Sequence, residues 1–196
     1  MKKYTVTLEF TEPLLGTVPK DRDAAEVIIT AAVEKSKNPD PEDILEEMET
    51  APVENEKGHT GFHKDDNGMF LYDYQIKGFF KEAANIVKEN VGVKNARAKI
   101  EDYLFVEPRR IYLGKSQPDG VIVRALRAMT MRGPRNVVTK SDFVAAGTQI
   151  KFTIVVLNPK IVPDKLVREC LEYGKYRGIG QWRGGSYGRF TYSLED

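Results

Sequence analysis

Thirteen residues near the end of the chain, Gly178-Ile-Gly-Gln-Trp-Arg-Gly-Gly-Ser-Tyr-Gly-Arg-Phe190, combine five glycines, two arginines and three aromatics. Glycine admits backbone conformations with φ > 0 and lets another chain approach without a Cβ in the way. Arg183 and Arg189 supply planar donor forks suited to phosphate. Trp182 and Tyr187 offer flat faces on which a base can stack. Glycine alone predicts only a tight turn. Glycine, arginine and aromatic residues in one loop point instead to a polyanion, with Gly178, Gly180 and Gly188 shaping the path.

Two histidines four apart, His59 and His63, lie near Asp65 and Asp66 in the stretch Lys57–Gly68, which reads as a loop. A zinc site needs three or four ligands in fixed geometry. The chain has no third histidine, and its one cysteine, Cys170, is far off in sequence, so no metal or other cofactor is expected. One imidazole can suffice as a general base for RNA cleavage. A polar loop without catalysis is the simpler expectation. Lys77-Gly78 opens an amphipathic helix whose stripe is Ile76, Phe79, Phe80, Ala83 and Val87. Amides at such a helix start favour phosphate. The bland alternative is a surface lysine beside a glycine that lets the helix approach a sheet.

The net charge of +1 hides an asymmetry. Residues 1–66 hold 16 acidic and 8 basic side chains, a net of −8. The remaining 13 acidic and 22 basic side chains give +9. Arg109, Arg110, Lys115, Arg124, Arg127, Arg132, Arg135 and Lys140 stand against Asp119 alone. Such a stretch attracts polyanions through counterion release. It also fits a solvated face neutralised by the acidic part, which could shield it until a partner arrives.

The elements that must position these groups are legible in outline. Apolar residues make up 41% of 196, and no run approaches eighteen consecutive apolar residues. A globular protein with no membrane span is expected. The start, Met1-Lys-Lys-Tyr-Thr-Val, lacks the apolar core of a secretion signal, and a single cysteine suits a reducing cytoplasm.

Tyr4, Val6, Leu8 and Phe10 alternate as a half-buried strand. Residues 23–37 read as a helix on Ala24, Val27, Ile28, Ala31 and Ala32. Asp40 can cap a second helix with Pro41 in its first turn and a stripe of Ile44, Leu45 and Met48, its acidic remainder exposed. Residues 69–74 are extended, and residues 103–113 read as one strand. Residues 114–147 read as an extended arm or hairpin broken by Pro118, Gly120, Gly133 and Pro134. Residues 149–157 form a strand, Pro163–Tyr176 a helix with Cys170 on its apolar face, and residues 188–194 a last strand.

Without the acidic helices and the arm, the order is strand, helix, strand, strand, helix, strand. This predicts an α+β fold: a ferredoxin-like (RRM-like) βαββαβ antiparallel sheet with two helices on one face. One domain spans 1–196, with an acidic helical insertion and loop at 20–68 and a basic arm or thumb at 114–148.

Phe143 to Phe190, with Gly178-Ile-Gly180 followed by Ser186-Tyr-Gly188, resembles the RAMP superfamily, the repeat-associated proteins of CRISPR systems. Tyr74-Gln-Ile-Lys77-Gly78-Phe-Phe-Lys81 is similar to the helix-opening segment of the backbone subunits, although Asp73-Tyr-Gln replaces the usual small-residue turn. The first strand running into Glu12-Pro-Leu-Leu-Gly16 is a third match. The resemblance implies a protein of antiviral defence that holds guide RNA on an open sheet face. It would use the glycine-rich loop, the first helix and a basic arm. Its partners would be RNA and other subunits of a ribonucleoprotein, or copies of itself.

Lys77, Gly78, Arg109, Arg110, Arg124, Arg127, Arg132, Arg135, Gly178, Gly180, Trp182, Arg183, Tyr187, Gly188 and Arg189 are the candidate RNA contacts. No catalytic residue is expected. One alternative is a metal-independent endoribonuclease, with His59 or His63 as base or acid and Lys77 or Arg183 steadying the phosphorane. Another is a viral relative that occupies a CRISPR complex through its acidic part.

Overall fold

The computed structural model describes residues 1–34, 40–131 and 133–195, without the side chains of Ala128 and Thr130. The expected contact Arg132 and residues 35–37 of the first helix lie outside the described residues. In chain order the elements begin with strands β1 (Lys2–Phe10), β2 (Leu14–Leu15) and β3 (Val18–Pro19), then helices α1 (Arg22–Glu34) and α2 (Pro41–Thr50). Strands β4 (His59–Gly61), β5 (His63–Asp65) and β6 (Gly68–Tyr72) lead to helices α3 (Asp73–Val91) and α4 (Ala96–Tyr103). Strands β7 (Leu104–Glu107), β8 (Arg110–Tyr112), β9 (Gly120–Thr130), β10 (Gly133–Val144) and β11 (Gln149–Val156) follow. Helix α5 (Asp164–Arg177) and strand β12 (Phe190–Glu195) complete the order. The fold is mixed α+β, with several antiparallel strand pairs and five helices among the described residues.

The chain divides into two compact units. The first combines Met1–Leu14, Phe70–Lys115 and the residues from Ala145 onward. Its sheet has the strand order β12-β1-β11-β7, with each neighbouring pair antiparallel. Tyr4, Val6, Leu8 and Phe10 are buried, as are Ile150, Phe152, Ile154 and Val156. Strand alternation therefore gives this sheet one core face. The other face carries Thr5 and Thr7 opposite Thr153 and Lys151, with Phe105 on the edge strand β7.

Helix α3 buries Ile76, Phe79, Phe80, Ala83 and Val87 as expected, and Ala84 as well. Helix α5 buries Leu166, Val167, Cys170 and Leu171. Burial pushes the Cys170 thiol well above its ordinary range, which suits a packed hydrophobe rather than a nucleophile. Gly174 in α5 is required by packing: a Cβ there would lie 2.0 Å from the Phe190 ring.

The second unit combines Leu15–Met69 and Ser116–Val144. Its helix pair corrects the expected stripes. Val27 and Ile28 are exposed, and the buried face of α1 is Ala25, Ile29 and Val33, spaced four apart. That spacing keeps one row facing Ile44 and Met48 of α2. Leu45 is exposed. Asp40 caps α2 as expected by accepting from the Glu42 N–H, but Glu47 in the acidic run is buried.

Two further expectations are revised. Residues 103–113 form two short strands, β7 and β8, because Pro108 and the turn around it interrupt the ladder. The histidine segment is not a loop throughout: β4 pairs antiparallel with β3 and parallel with β10, and β5 follows it. Among the described residues no helix is long and apolar enough to cross a membrane.

Candidate nucleic-acid interface

In the first unit the glycine-rich loop is stitched to its own backbone. Helix α5 ends as the Gly178 N–H donates to the Gly174 carbonyl. The Ile179 N–H then donates to the Gly188 carbonyl at 3.0 Å, and the Gly188 N–H to the Pro13 carbonyl at 2.9 Å. Gly188 has φ +69, and a Cβ there would lie 1.9 Å from the Ile179 carbonyl oxygen. A Cβ at Gly178 would likewise meet the Gly188 backbone at 2.5 Å. The space beside these two glycines is therefore filled by the chain itself. Trp182 and Ser186 take left-handed conformations on either side of the short turn Arg183–Gly185. Trp182 and Tyr187 are half-buried.

The loop arginines differ from the picture of open phosphate forks. An Arg183 amine lies 2.7 Å from Glu82 Oε2, and Arg177 Nε lies 3.4 Å from Glu82 Oε1. One carboxylate on α3 thus holds the end of α5 and the loop together. Arg189 is half-buried, and its Nε is buried without a hydrogen-bond partner among the described residues.

A second set of candidates gathers where α3 begins. Tyr72 caps the helix, and its N–H donates to the Gln75 side-chain carbonyl. The Asp73 N–H donates to the Arg109 carbonyl at 2.9 Å. Each cation here lies over a ring: Lys77 Nζ is 4.4 Å from the centroid of Phe105, Arg109 is 5.4 Å from Tyr72, and Arg110 is 5.2 Å from Phe70. Such contacts hold a cation by the ring quadrupole. Burial pushes the Asp73 carboxyl up, against the pull of Arg109 and Lys77. This acid sits in the first turn, where the helix amides favour negative charge. The alternative that Gly78 only lets the helix approach a sheet finds no support, because nothing lies within 4 Å of a Cβ built there.

In the second unit β9 and β10 form the expected hairpin, pairing from Gly133↔Thr130 to Phe143↔Gly120. Arg127 and Arg135 are exposed and Arg124 half-buried. The register puts Arg124 and Arg135 on one face of the hairpin and Arg127 on the other. Apolar side chains are exposed beside them, including Val123, Met129 and Val138.

Both histidines are buried in this unit. His59 Nε2 lies 2.7 Å from Asp142 Oδ1, and its Nδ1 faces Glu56. Lys20 Nζ is 3.0 Å from Asp142 Oδ2 and 3.1 Å from Glu54. Burial opposes the charge of Lys20, but hydrogen bonds to Asp142 and Glu54 push its pKa up on balance. Lys140 closes the network on Glu56 at 2.8 Å. Hydrogen bonds from Lys140 and His59 lower the Glu56 carboxyl to about 2. His63 Nδ1 shares a hydrogen bond with Thr50 Oγ1. Among the described residues no group of three or more His, Cys, Asp or Glu could hold a metal ion.

Glu82, Tyr74 and Phe105 escape a reading of the sequence alone. Phe105 does leave a trace: it falls at the outward position of Leu104-Phe-Val106, where alternation calls for a polar residue. Glu82 leaves none, because Arg183 is a hundred residues away.

No protein-family profile matches the chain, and no curated protein matches it. Solved structures do share its fold. One is a chain of the Type III-B Cmr-beta complex bound to cognate target RNA, at a TM-score of 0.51 and 13% identity, covering 99% of this chain and 60% of that one. Another is a chain of a Type IV-B CRISPR complex, at a TM-score of 0.51 and 8% identity, covering 99% of this chain and 90% of that one. This chain therefore spans about 60% of the length of the Cmr-beta chain. At these identities the likeness is one of fold alone.

Proposed function

We propose that this protein is a non-catalytic, RNA-binding RAMP-like subunit of a CRISPR-type ribonucleoprotein. The observation that carries the reading is the fold match over 99% of the chain to a component of an RNA-bound CRISPR complex. The strand order β12-β1-β11-β7 with helices α3 and α5 supports a ferredoxin-like core. On this reading the chain is one RAMP-like domain that carries residues 20–68 and 114–148 as insertions.

RNA phosphates are held by Lys77, Arg109 and Arg110 in the first unit and by Arg124, Arg127 and Arg135 on the hairpin of the second. Arg183 and Arg189 join them, with Trp182 and Tyr187 as stacking faces. Gly178 and Gly188 set the backbone path of the loop rather than leaving room for a ligand, and Gly180, at φ +83, shapes that path with them. His59 and His63 have a structural role in their buried hydrogen bonds. Other subunits, or copies of this chain, are the protein partners. The protein works in the cytoplasm.

The test is binding to a mixed single-stranded RNA, with the RNA recovered and sized after incubation in chelator. Tight binding with intact RNA is expected. Specific cutting that disappears in His59→Ala or His63→Ala would replace this reading with an endoribonuclease.

A further inference from the structure

Two exposed aromatic rings at the start of α3 have no role in the core. Phe105 is 41% exposed and Tyr74 38% exposed. Phe105 points away from the core face of its sheet, since Leu104 and Val106 on either side are buried. It sits on an edge strand, with no further strand beside it among the described residues. Tyr74 is stacked on the buried ring of Tyr72, with centroids 5.5 Å apart and planes 12° apart, so its orientation is fixed.

Helix geometry connects the two rings. Tyr74 precedes Lys77 by three residues and Gly78 by four, which puts all three on one helix face. Lys77 reaches from that face to the Phe105 ring. Gly78 has neither a left-handed backbone nor a neighbour within 4 Å of a Cβ position, so neither turn nor packing requires it. It leaves a bare stretch of helix wall beside Lys77.

We propose that Tyr74 and Phe105 form a nucleobase-stacking site for single-stranded RNA, with Lys77 between them to take the phosphate. The proposal rests on the RNA-binding reading above and adds where bases, rather than phosphates, are held. A base settling on Phe105 exchanges a lysine contact for a larger stacking contact and releases the ammonium to the backbone. Asp73 offsets part of the local positive charge, so stacking supplies a larger share of the affinity here than on the hairpin. Duplex RNA is excluded because its bases are already stacked and its grooves present edges rather than faces.

The experiment compares a mixed single-stranded RNA, the same strand with abasic positions, and a duplex, binding each to the full chain at physiological salt. Wild type is expected to bind the base-bearing strand about 5- to 150-fold more tightly than the abasic strand. Tyr74→Ala and Phe105→Ala should each shrink that ratio, while Tyr74→Phe and Phe105→Tyr retain it. Lys77→Gln should weaken both strands alike and leave the ratio intact. Both rings are exposed, and thermal melts identify any variant that does not fold. Folded alanine variants with the wild-type ratio would overturn the stacking site while leaving the RNA-binding reading standing. Absence of any RNA binding by wild type would overturn both.

Discussion

The glycine-rich loop and the β9–β10 hairpin both advertise themselves by arginine, yet they hold their arginines differently. In the loop, Arg183 is clamped by Glu82, and the glycines touch the chain's own backbone. On the hairpin, Arg127 and Arg135 stand on exposed strands. The difference lies in what surrounds each cation. A carboxylate from another helix ties the Arg183 fork down, so that it meets phosphate only in competition with Glu82, and nothing in the local sequence distinguishes the two. Substitutions in the loop should therefore act first on folding, and substitutions along the hairpin first on affinity.

The largest effect should come from Gly188→Val, whose Cβ would lie 1.9 Å from the Ile179 carbonyl oxygen at φ +69. Loss of about 3 kcal/mol or more, read as a collapse of the melting temperature, is expected from strain of this kind. Gly184→Val, with open space around it, should stay within about 0.5 kcal/mol. Equal melting temperatures for the two variants would break the claim that the loop is backbone-locked.

At the base of the hairpin, Asp142→Ala would leave buried Lys20 with Glu54 alone and buried His59 with Glu56 alone. Removing one partner of a buried ion pair costs about 3–5 kcal/mol when the other charge is left uncompensated, so with Glu54 and Glu56 still in place the loss should stay below about 3 kcal/mol. Chemical denaturation should show that loss, and amide exchange over residues 133–144 should quicken with it. An unaffected hairpin would mean that the network does not anchor it.

Glu82→Gln sharpens the comparison from the other side. It frees Arg177 and Arg183 to meet phosphate, at a cost of about 0–1 kcal/mol for a partly exposed pair. RNA affinity should rise severalfold with little change in melting temperature. A fall in affinity would show that Glu82 positions Arg183 for RNA rather than competing with RNA for it.

The smallest effect concerns acid. The Glu56 carboxyl is held near 2 in the fold, below its ordinary 4.5. Its contribution to stability is therefore full above about 4.5 and lost as pH falls from there toward 2. Unfolding midpoints measured across that window should drop, and Glu56→Gln should flatten part of the drop. An identical profile for the variant would remove Glu56 from the network's energetics.

The core helices were readable because α3 and α5 carry unbroken apolar stripes, and β1 and β11 because they alternate. Helix α4 was not, since only Ala96 and Ile100 are buried in Ala-Arg-Ala-Lys-Ile-Glu-Asp-Tyr. The histidine strands were hidden for a related reason. His59 is polar, and its burial depends on Asp142, eighty-three residues away. The cations at the start of α3 were legible as charge, but their rings were not. Phe70, Tyr72 and Phe105 meet Arg110, Arg109 and Lys77 only once the strands and helix are folded together.

Single-stranded RNA binding measured from low to physiological salt tests the central claim most directly, for wild type beside the triple variant Arg124→Gln, Arg127→Gln, Arg135→Gln. The account predicts a steep loss of affinity with salt for wild type. Each lost phosphate contact lowers the slope by about 0.7, so the triple variant should be shallower by about 2 with an unchanged melting temperature. A flat salt dependence in wild type, or equal slopes for the two proteins, would contradict it.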